Sequence, residues 1–254
     1  MKNLGIFLTL IFSFQIVVSQ ETDNLRNDSI AKESKNLKFN YKQVIIPALL
    51  VGYGVVGLQN NSIKQLNFDV KKKLTPSDGN KIIVDDYTQF LPLAATFGLE
   101  ALGVPSKNNF KDKAIIAATA TLIMSATVFS LKKSTSQLRP DQFGFNSFPS
   151  GHTATAFMGA ELMYQEYKDQ SIWYGVSGYA VAATTGYLRM YNNRHWLTDV
   201  LAGAGIGIVS AKAAYWLYPC INKMFKPNNE SKIKTVYIPY YDGKTIGVGL
   251  VSNF

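Results

Sequence analysis

Side chains able to do chemistry lie in three short clusters in the second half of the chain. They combine permanent cations, both histidines of the sequence and one carboxylate, and they are Lys132, Arg139, Ser150, Gly151, His152, Arg189, His195 and Asp199. Cations can hold an anionic group, and a histidine can act as a nucleophile or as a proton donor. These residue types predict a reaction on an anionic group such as phosphate.

The cations of the clusters suit a bound phosphate. Lys132, Arg139 and Arg189 stand beside apolar segments, where a charge without an anionic partner is costly, and a guanidinium fork matches phosphate oxygens. Ser150-Gly151 precedes a predicted helix, whose free N–H groups and positive dipole end favour an anion. Glycine lets a ligand approach the backbone closely, and the Ser150 hydroxyl either caps the helix or hydrogen-bonds to phosphate.

The two histidines differ in their neighbours. His195 and Asp199 are four positions apart, so they share one face if the last helix begins before His195. The carboxylate would then hold one ring nitrogen protonated and leave the other free as a nucleophile. His152 has no carboxylate at helical spacing, and a bound phosphate would favour its cationic form. We therefore predict that His152 protonates a leaving alcohol oxygen.

Each residue taken singly also has an ordinary structural explanation. His195 could lie on the surface at a helix start, Ser150 could be an N-cap, and Lys132 or Arg139 could flank a membrane helix. Their arrangement favours a common site instead, because all three clusters fall at helix ends that an up-down bundle brings to one side.

The rest of the sequence predicts helices that carry these clusters. Hydrophobic residues make up 47% of the 254 residues, which is enough for one domain with a large apolar core. Six apolar segments of helical length follow one another, at 44–58, 87–104, 114–131, 153–167, 172–188 and 196–218. We therefore predict an all-α fold, a six-helix up-down bundle over residues 43–218.

The two ends of the chain differ from the predicted bundle. Lys2 and the apolar run that follows are typical of a secretory signal peptide over residues 1–19, and the polar residues 20–42 predict an exposed linker. In the tail, 219–254, two β-favouring runs flank Asp242-Gly243, which predicts a small C-terminal β-hairpin. Pro239 would confine its strand to an edge.

Composition narrows the range of partners. The formal net charge is +9, and the lysines are scattered, which points to anionic membrane surfaces or phosphorylated substrates and away from nucleic acid. Cys220 is the single cysteine, so an intramolecular disulfide is excluded. Two histidines and one cysteine make a zinc site a poor prediction, and we expect neither a metal nor a cofactor.

The three clusters, in their order, resemble a known three-part signature. Lys132 begins Lys-x6-Arg-Pro, His152 ends Pro-Ser-Gly-His, and Asp199 ends Arg-x5-His-x3-Asp. This order is similar to the signature of the type 2 phosphatidic acid phosphatase family, which shares its site with class A acid phosphatases and vanadium haloperoxidases. The helical frame extends the resemblance from about Tyr41 to Tyr218. One departure is Leu188, where the family usually has serine, and it affects one hydrogen bond near the phosphate.

The resemblance implies a role for each matched residue. His195 would form a phosphohistidine, Asp199 would be its partner, and His152 would be the general acid. The remaining matched residues would bind phosphate, namely Lys132, Arg139, Ser150, Gly151 and Arg189.

The implied activity is that of a metal-independent phosphatase. The apolar helices favour a lipid of the bacterial envelope as substrate, such as phosphatidic acid, undecaprenyl pyrophosphate or the phosphates of lipid A. Three alternatives stay open: a soluble periplasmic acid phosphatase of broad specificity, a vanadate haloperoxidase, and a non-catalytic binder of lipid phosphates.

The predicted location is the cell envelope, with the protein in or on the membrane. A cleaved signal peptide places the following residues outside, and three full spans before Lys132 would then put the site inside. The mean hydropathy of +0.01 is low for six complete spans. We therefore predict a site that faces the periplasm, with the 87–104 segment not spanning or the bundle only touching the membrane.

Overall fold

The computed structural model describes residues 40–76, 79, 81–225, 234–241 and 246–253. The predicted signal peptide over 1–19 lies outside these residues, as does nearly all of the linker predicted over 20–42. From Lys42 to Phe225 every regular element of the described residues is helical, in agreement with the predicted all-α class.

The described residues form eight helices where six were predicted. They are α1 Lys42–Gly57, α2 Asn61–Leu74, α3 Asp85–Thr88, α4 Leu91–Ala101, α5 Phe110–Thr135, α6 Gly151–Tyr167, α7 Ile172–Tyr191 and α8 Leu197–Phe225. The apolar pattern missed α2 because this helix is rich in Lys, Asn and Gln, and it missed α3 because four residues give no periodicity.

Side-chain caps set the starts of four helices. Asn60 accepts from the N–H of Ile63 at the start of α2, and Asn109 accepts from the N–H of Asp112 at the start of α5. Ser150 and Ser171 cap α6 and α7 in the same way. Each cap satisfies a backbone donor that has no partner within the helix.

Helix α6 lies at the centre of the bundle. Its Ala154, Met158 and Leu162 belong to a continuous buried cluster with Ile116 of α5 and Ile206 of α8. Small residues let α8 come close to α6, because a Cβ on Gly203 would lie 2.5 Å from the carbonyl oxygen of Ser150. The first turn of α6 therefore rests directly on the backbone of α8.

Two carboxylates inside α6 are buried and paired. Glu161 accepts from Lys212 Nζ of α8 at 2.6 Å and also from the Tyr179 hydroxyl of α7. Glu166 accepts from the Tyr215 hydroxyl of α8 at 2.5 Å and from the backbone N–H of Asn108. Buried polar groups are tolerated when they are hydrogen-bonded in this way, and these contacts join α6 to α7 and α8.

Two of the described helices are long and apolar enough to cross a membrane, namely Phe110–Thr135 and Leu197–Met224. A third candidate is the pair α1 and α2, which is bent by 97° at its break. Within the predicted 87–104 segment, α4 has 11 residues and covers about 16 Å, roughly half of a hydrocarbon core.

The C-terminal part contains two described strands, β1 Lys234–Tyr241 and β2 Ile246–Asn253. They pair antiparallel, with Val236 opposite Val251 and Pro239 opposite Val248. The predicted turn at Asp242-Gly243 lies outside the described residues.

The close approach of α8 to Ser150 gives a first testable prediction. A Gly203→Ala substitution should push Ser150 and Gly151 away from α8 and lower the free energy of unfolding by about 1 to 3 kcal/mol. Gly52→Ala in α1 is the matched control, because nothing lies within 4 Å of its Cβ. That control should be neutral or more stable by about 0.5 to 1 kcal/mol, as measured by denaturation in detergent.

Candidate active site

Four helix ends meet where the sequence clusters predict a site. Lys132, in the last turn of α5, donates through Nζ to the carbonyl oxygen of Asn146 at 2.6 Å, in the loop that leads to α6. At the start of α6, the N–H of Ser150 donates to the carbonyl oxygen of Asp199 in the first turn of α8, at 3.0 Å. Arg189 lies in the last turn of α7. The last four helices therefore alternate in direction and bring all three clusters together.

Asp199 is the buried carboxylate that joins these loops. Its side chain is fully inaccessible to solvent. Oδ2 accepts from the Ser147 hydroxyl at 2.5 Å and from the Trp196 N–H at 2.9 Å. The second of these bonds caps the start of α8, since Trp196 directly precedes the helix.

His195 lies beside Asp199 but outside the helix. The Nδ1 atom of His195 is 3.5 Å from Oδ2 of Asp199, which is within ion-pair distance, and Nδ1 makes no hydrogen bond among the described residues. The predicted shared helix face is wrong, because α8 begins at Leu197. A loop holds His195 instead, since its N–H donates to the carbonyl oxygen of Arg189 at 3.3 Å.

Burial sets the ionisation of His195. The residue is 4% exposed, and burial lowers its pKa to about 4, with nearby Lys132 and Arg189 acting in the same direction and Asp199 opposing them. The imidazole is therefore neutral at physiological pH. With Nδ1 facing a carboxylate, Nε2 is the nitrogen that carries a free lone pair.

Helix α2, which the sequence pattern missed, supports residues close to His195. The Asn67 side chain donates to the Thr198 hydroxyl at 3.0 Å. The ring of Phe68 meets that of Trp196 edge to face, with 5.1 Å between the centroids. These contacts fix the two neighbours of Leu197 and hence the start of α8.

One loop residue, Asn146, binds two of the three predicted phosphate-binding cations, one through its backbone and one through its side chain. Its carbonyl oxygen accepts from Lys132 Nζ at 2.6 Å, and its Oδ1 accepts from Arg139 Nε at 2.7 Å. The first predicted cluster is therefore assembled around a single residue of the following loop. Burial lowers the pKa of Arg139, with Asp141 opposing and Arg189 reinforcing that effect.

Arg189 is buried and bound to two acidic residues. Its NH1 donates to Asp85 Oδ2 at 2.7 Å and to Asp86 Oδ1 at 3.2 Å. Its Nε is buried without a hydrogen-bond partner among the described residues, so a donor of the guanidinium group stays available. An anion at this position would satisfy it.

Ser150 and Gly151 form the start of α6, as predicted. The Ser150 hydroxyl accepts from the N–H of Thr153, so in this structure it caps the helix. At Gly151 an added Cβ would meet Val128 at 3.8 Å, which is ordinary van der Waals contact. Protein packing therefore does not demand glycine here.

His152 has a carboxylate partner that sequence spacing did not reveal. Its Nε2 lies 3.0 Å from Oδ1 of Asp86 on α3. Residues 86 and 152 are 66 positions apart, so no local pattern connects them. Burial and then Arg189 lower the pKa of His152, whereas Asp86 and Asp85 raise it.

Sequence reasoning missed four polar residues that hold the predicted ones: Asp85, Asp86, Asn146 and Ser147. Asn146 and Ser147 lie in the polar loop between the first two clusters, and this position was the only feature of the sequence that pointed to them. Asp85 and Asp86 precede a predicted helix, and charged residues at such a position are ordinarily exposed to solvent. The buried Leu188, at the position where the resemblance expects serine, contributes its carbonyl oxygen to the N–H of Asn192.

A cavity of about 100 Å³ lies on one side of Arg189. Lys81, Ile83, Asp86 and Arg194 are among its lining residues. Within the described part of the chain, no group of three or more His, Cys, Asp or Glu side chains is arranged to hold a metal ion.

Comparisons with known proteins agree with the sequence signature. The sequence model of the PAP2 superfamily matches residues 113–223, which contain all three clusters. Two curated proteins are similar over parts of this region. "Lipid A 1-phosphatase" of Porphyromonas gingivalis is 42% identical over 135 residues, or 53% of this chain and 30% of that protein. "Bacitracin transport permease protein BcrC" of Bacillus licheniformis is 35% identical over 74 residues, or 29% of this chain and 34% of that protein.

The chain thus spans about a third of the length of these curated relatives. Two solved structures also resemble it. The crystal structure of Aquifex aeolicus LpxE covers 59% of this chain and 92% of its own, with 24% identity and a TM-score of 0.45. That of a transmembrane PAP2 type phosphatidylglycerolphosphate phosphatase from Bacillus subtilis covers 75% of this chain and 100% of its own, with 18% identity and a TM-score of 0.44.

The lowered pKa of His195 predicts how stability depends on pH. Between the ordinary value of 6.5 and about 4, the unfolded chain binds a proton at this residue and the folded chain does not. The free energy of unfolding should therefore fall as the pH drops through this window, by about 3 kcal/mol from this group.

The measurement compares the wild type with His195→Gln by denaturation in detergent between pH 7 and pH 4. The wild type should lose about 3 kcal/mol more stability than the variant, because glutamine does not titrate. Equal losses in the two proteins would show that His195 titrates as it does in water.

Proposed function

We propose that this chain belongs to the PAP2 superfamily, whose sequence model matches residues 113–223, and that it is a phosphatase of envelope lipid phosphates or pyrophosphates. It works through a phosphohistidine intermediate and without a metal ion. The observation that carries this proposal is His195, a buried neutral imidazole 3.5 Å from the carboxylate of Asp199. The charges of Lys132 and Arg189 are close enough to act on it.

The first step is binding of the phosphate. Lys132, Arg139 and Arg189 supply positive charge, and Nε of Arg189 supplies a buried donor without a partner. The start of α6 adds backbone donors at Gly151 and the positive end of the helix dipole. Their combined charge stabilises the negative charge that spreads over the equatorial oxygens during transfer.

The second step transfers the phosphoryl group to His195. Nε2 attacks phosphorus, an N–P bond forms, and the P–O bond to the alcohol or phosphate leaving group breaks. His152 gives its proton to the leaving oxygen. The Nδ1–H of His195 donates a hydrogen bond to Asp199 in this step. The carboxylate compensates the positive charge that develops on the ring.

The third step releases the phosphate. A water molecule attacks phosphorus, and His152, now neutral, takes its proton. The N–P bond breaks, inorganic phosphate leaves, and His195 returns to its neutral form. The two histidines thus restore their starting states in one cycle.

Apolar side chains beside the site support a lipid as the substrate. Phe143 and Phe145 are 82% and 67% exposed in the loop that follows Arg139, and Ile83 and Tyr87 are 67% and 75% exposed on either side of Asp86. Such exposed apolar groups around a polar centre suit a substrate with both a phosphate and acyl chains. Lipid A 1-phosphate is the first substrate to test, because of the similarity to a protein of that activity.

We place the enzyme in the membrane, with its site toward the periplasm. Helices α5 and α8 have the length and composition of spans, and the sequence predicts a secretory signal peptide. The short α4 supports an early segment that does not cross.

A phosphate-release screen over envelope lipids in detergent with a chelator tests the proposal. The wild type should release phosphate from lipid A 1-phosphate, phosphatidic acid or undecaprenyl pyrophosphate, and His195→Ala should lose about a thousandfold or more of kcat/KM. Asp69→Asn, on the exposed surface of α2, is the control and should keep full activity. Activity on water-soluble esters alone would reject the lipid, and full activity of His195→Ala would reject the mechanism.

The proton donor is tested separately through the leaving group. His152→Ala should slow hydrolysis of alkyl phosphates by about a hundredfold or more, because an alkoxide leaves poorly without a proton. The loss should be much smaller for p-nitrophenyl phosphate, whose phenolate leaves without help. Equal losses for both esters, compared by steady-state kinetics, would mean that His152 acts in binding.

A further inference from the structure

Asp86 joins the predicted proton donor to a predicted phosphate ligand through a single oxygen atom. Oδ1 lies 3.0 Å from Nε2 of His152 and 3.2 Å from NH1 of Arg189. We propose that Asp86 is a positioning residue of the reaction, which holds the His152 ring at a fixed position relative to Arg189. This inference rests on the proposed function and adds a residue that none of the three motifs contains.

The contact determines which nitrogen of His152 faces the substrate. With Nε2–H donating to Asp86, Nδ1 is the nitrogen left to give its proton to the leaving oxygen. Because one nitrogen is already held, the ring loses less conformational freedom than an unheld ring when the other nitrogen is oriented toward the substrate. Asp86 therefore fixes both the orientation of His152 and its distance from the phosphate that Arg189 binds.

The neighbouring Asp85 has a different task, although it contacts the same arginine. Its side chain is 1% exposed, and its two oxygens accept from Arg189 NH1 at 2.7 Å and from Asn192 Nδ2 at 3.0 Å. Asp85 thus anchors α3 to α7. Asp86 is 57% exposed at the mouth of the site, and its carboxylate is the one that reaches His152.

The backbone around Asp86 is fixed well enough for such a role. The Asn192 side chain donates to the carbonyl oxygen of Ile82 and accepts from its N–H, at 2.7 and 2.8 Å. At the last residue of α3, the Thr88 hydroxyl lies 2.9 Å from the Thr185 hydroxyl of α7. Hydrogen bonds to α7 therefore hold the backbone on both sides of Asp86.

Charge supports the same assignment. Burial and the positive charge of Arg189 favour neutral His152, and the charges of Asp86 and Asp85 favour its protonated form. A proton donor must be charged before it acts, and the carboxylate of Asp86 opposes part of the lowering of the His152 pKa by burial and by Arg189. Replacing it by an amide removes the charge and keeps the shape.

Nitrogen NMR of a histidine-labelled protein measures this directly, because the chain has two histidines. The full chain is purified through a tag without histidine, and His195→Gln assigns the signals. In Asp86→Asn the titration midpoint of His152 should fall by about one pKa unit, and that of His195 should stay in place. Asp86→Glu should restore most of the shift, and Asp69→Asn should change neither signal.

Kinetics on whichever phosphate ester the wild type hydrolyses give the second measurement. Asp86→Asn should lower kcat by about ten- to a hundredfold and change KM less than about threefold. The basic limb of its kcat profile should move to lower pH, because His152 loses its proton earlier. Asp86→Glu should recover at least part of kcat.

The outcomes separate this inference from the proposed function. An unchanged His152 midpoint in Asp86→Asn, or a loss confined to KM, overturns the positioning role even when the wild type is active. A wild type that releases no phosphate from any ester overturns the proposed function, and that result is read from the wild type alone. A lowered midpoint together with lowered kcat supports the inference.

Discussion

The buried carboxylate of Asp199 is the interaction on which the arrangement of the site depends. It accepts from the Ser147 hydroxyl and the Trp196 N–H, and it faces Nδ1 of His195. The backbone carbonyl oxygen of Asp199 accepts from the N–H of Ser150. A charge without exposure to solvent is stable only with such partners. The same residue therefore starts α8, positions the start of α6 and faces the imidazole of His195.

The positive charges of the site are balanced in different ways. Arg189 is held by Asp85 and Asp86 on α3, whereas Lys132 and Arg139 are held by the neutral oxygens of Asn146. The first arrangement compensates a charge that is nearly inaccessible to solvent. The second leaves Lys132 and Arg139 without a hydrogen-bonded carboxylate, as an anion-binding site requires.

The sequence predicted that His195 and Asp199 lie close together, but for the wrong geometric reason. The spacing of His195 and Asp199 suggested one helix face, but His195 lies in the loop before α8 and the hydrogen bond of Asp199 to Trp196 sets the helix start. Hydrophobic periodicity found the helices that bury an apolar face. It missed α2, whose polar residues pack on the loop of His195, and α3, which is too short to show a period.

The sequence by itself determined which residues are candidates for the chemistry, because the types and spacing of Lys132, His152 and His195 belong to short local segments that each carry a recognisable requirement. It also determined the all-helical class, since apolar periodicity is a local property. Only the tertiary structure decided the partners of those residues. Asp86 reaches His152 across 66 positions, and Ser147 reaches Asp199 across 52, because helix packing brings together residues whose separation along the chain carries no signal.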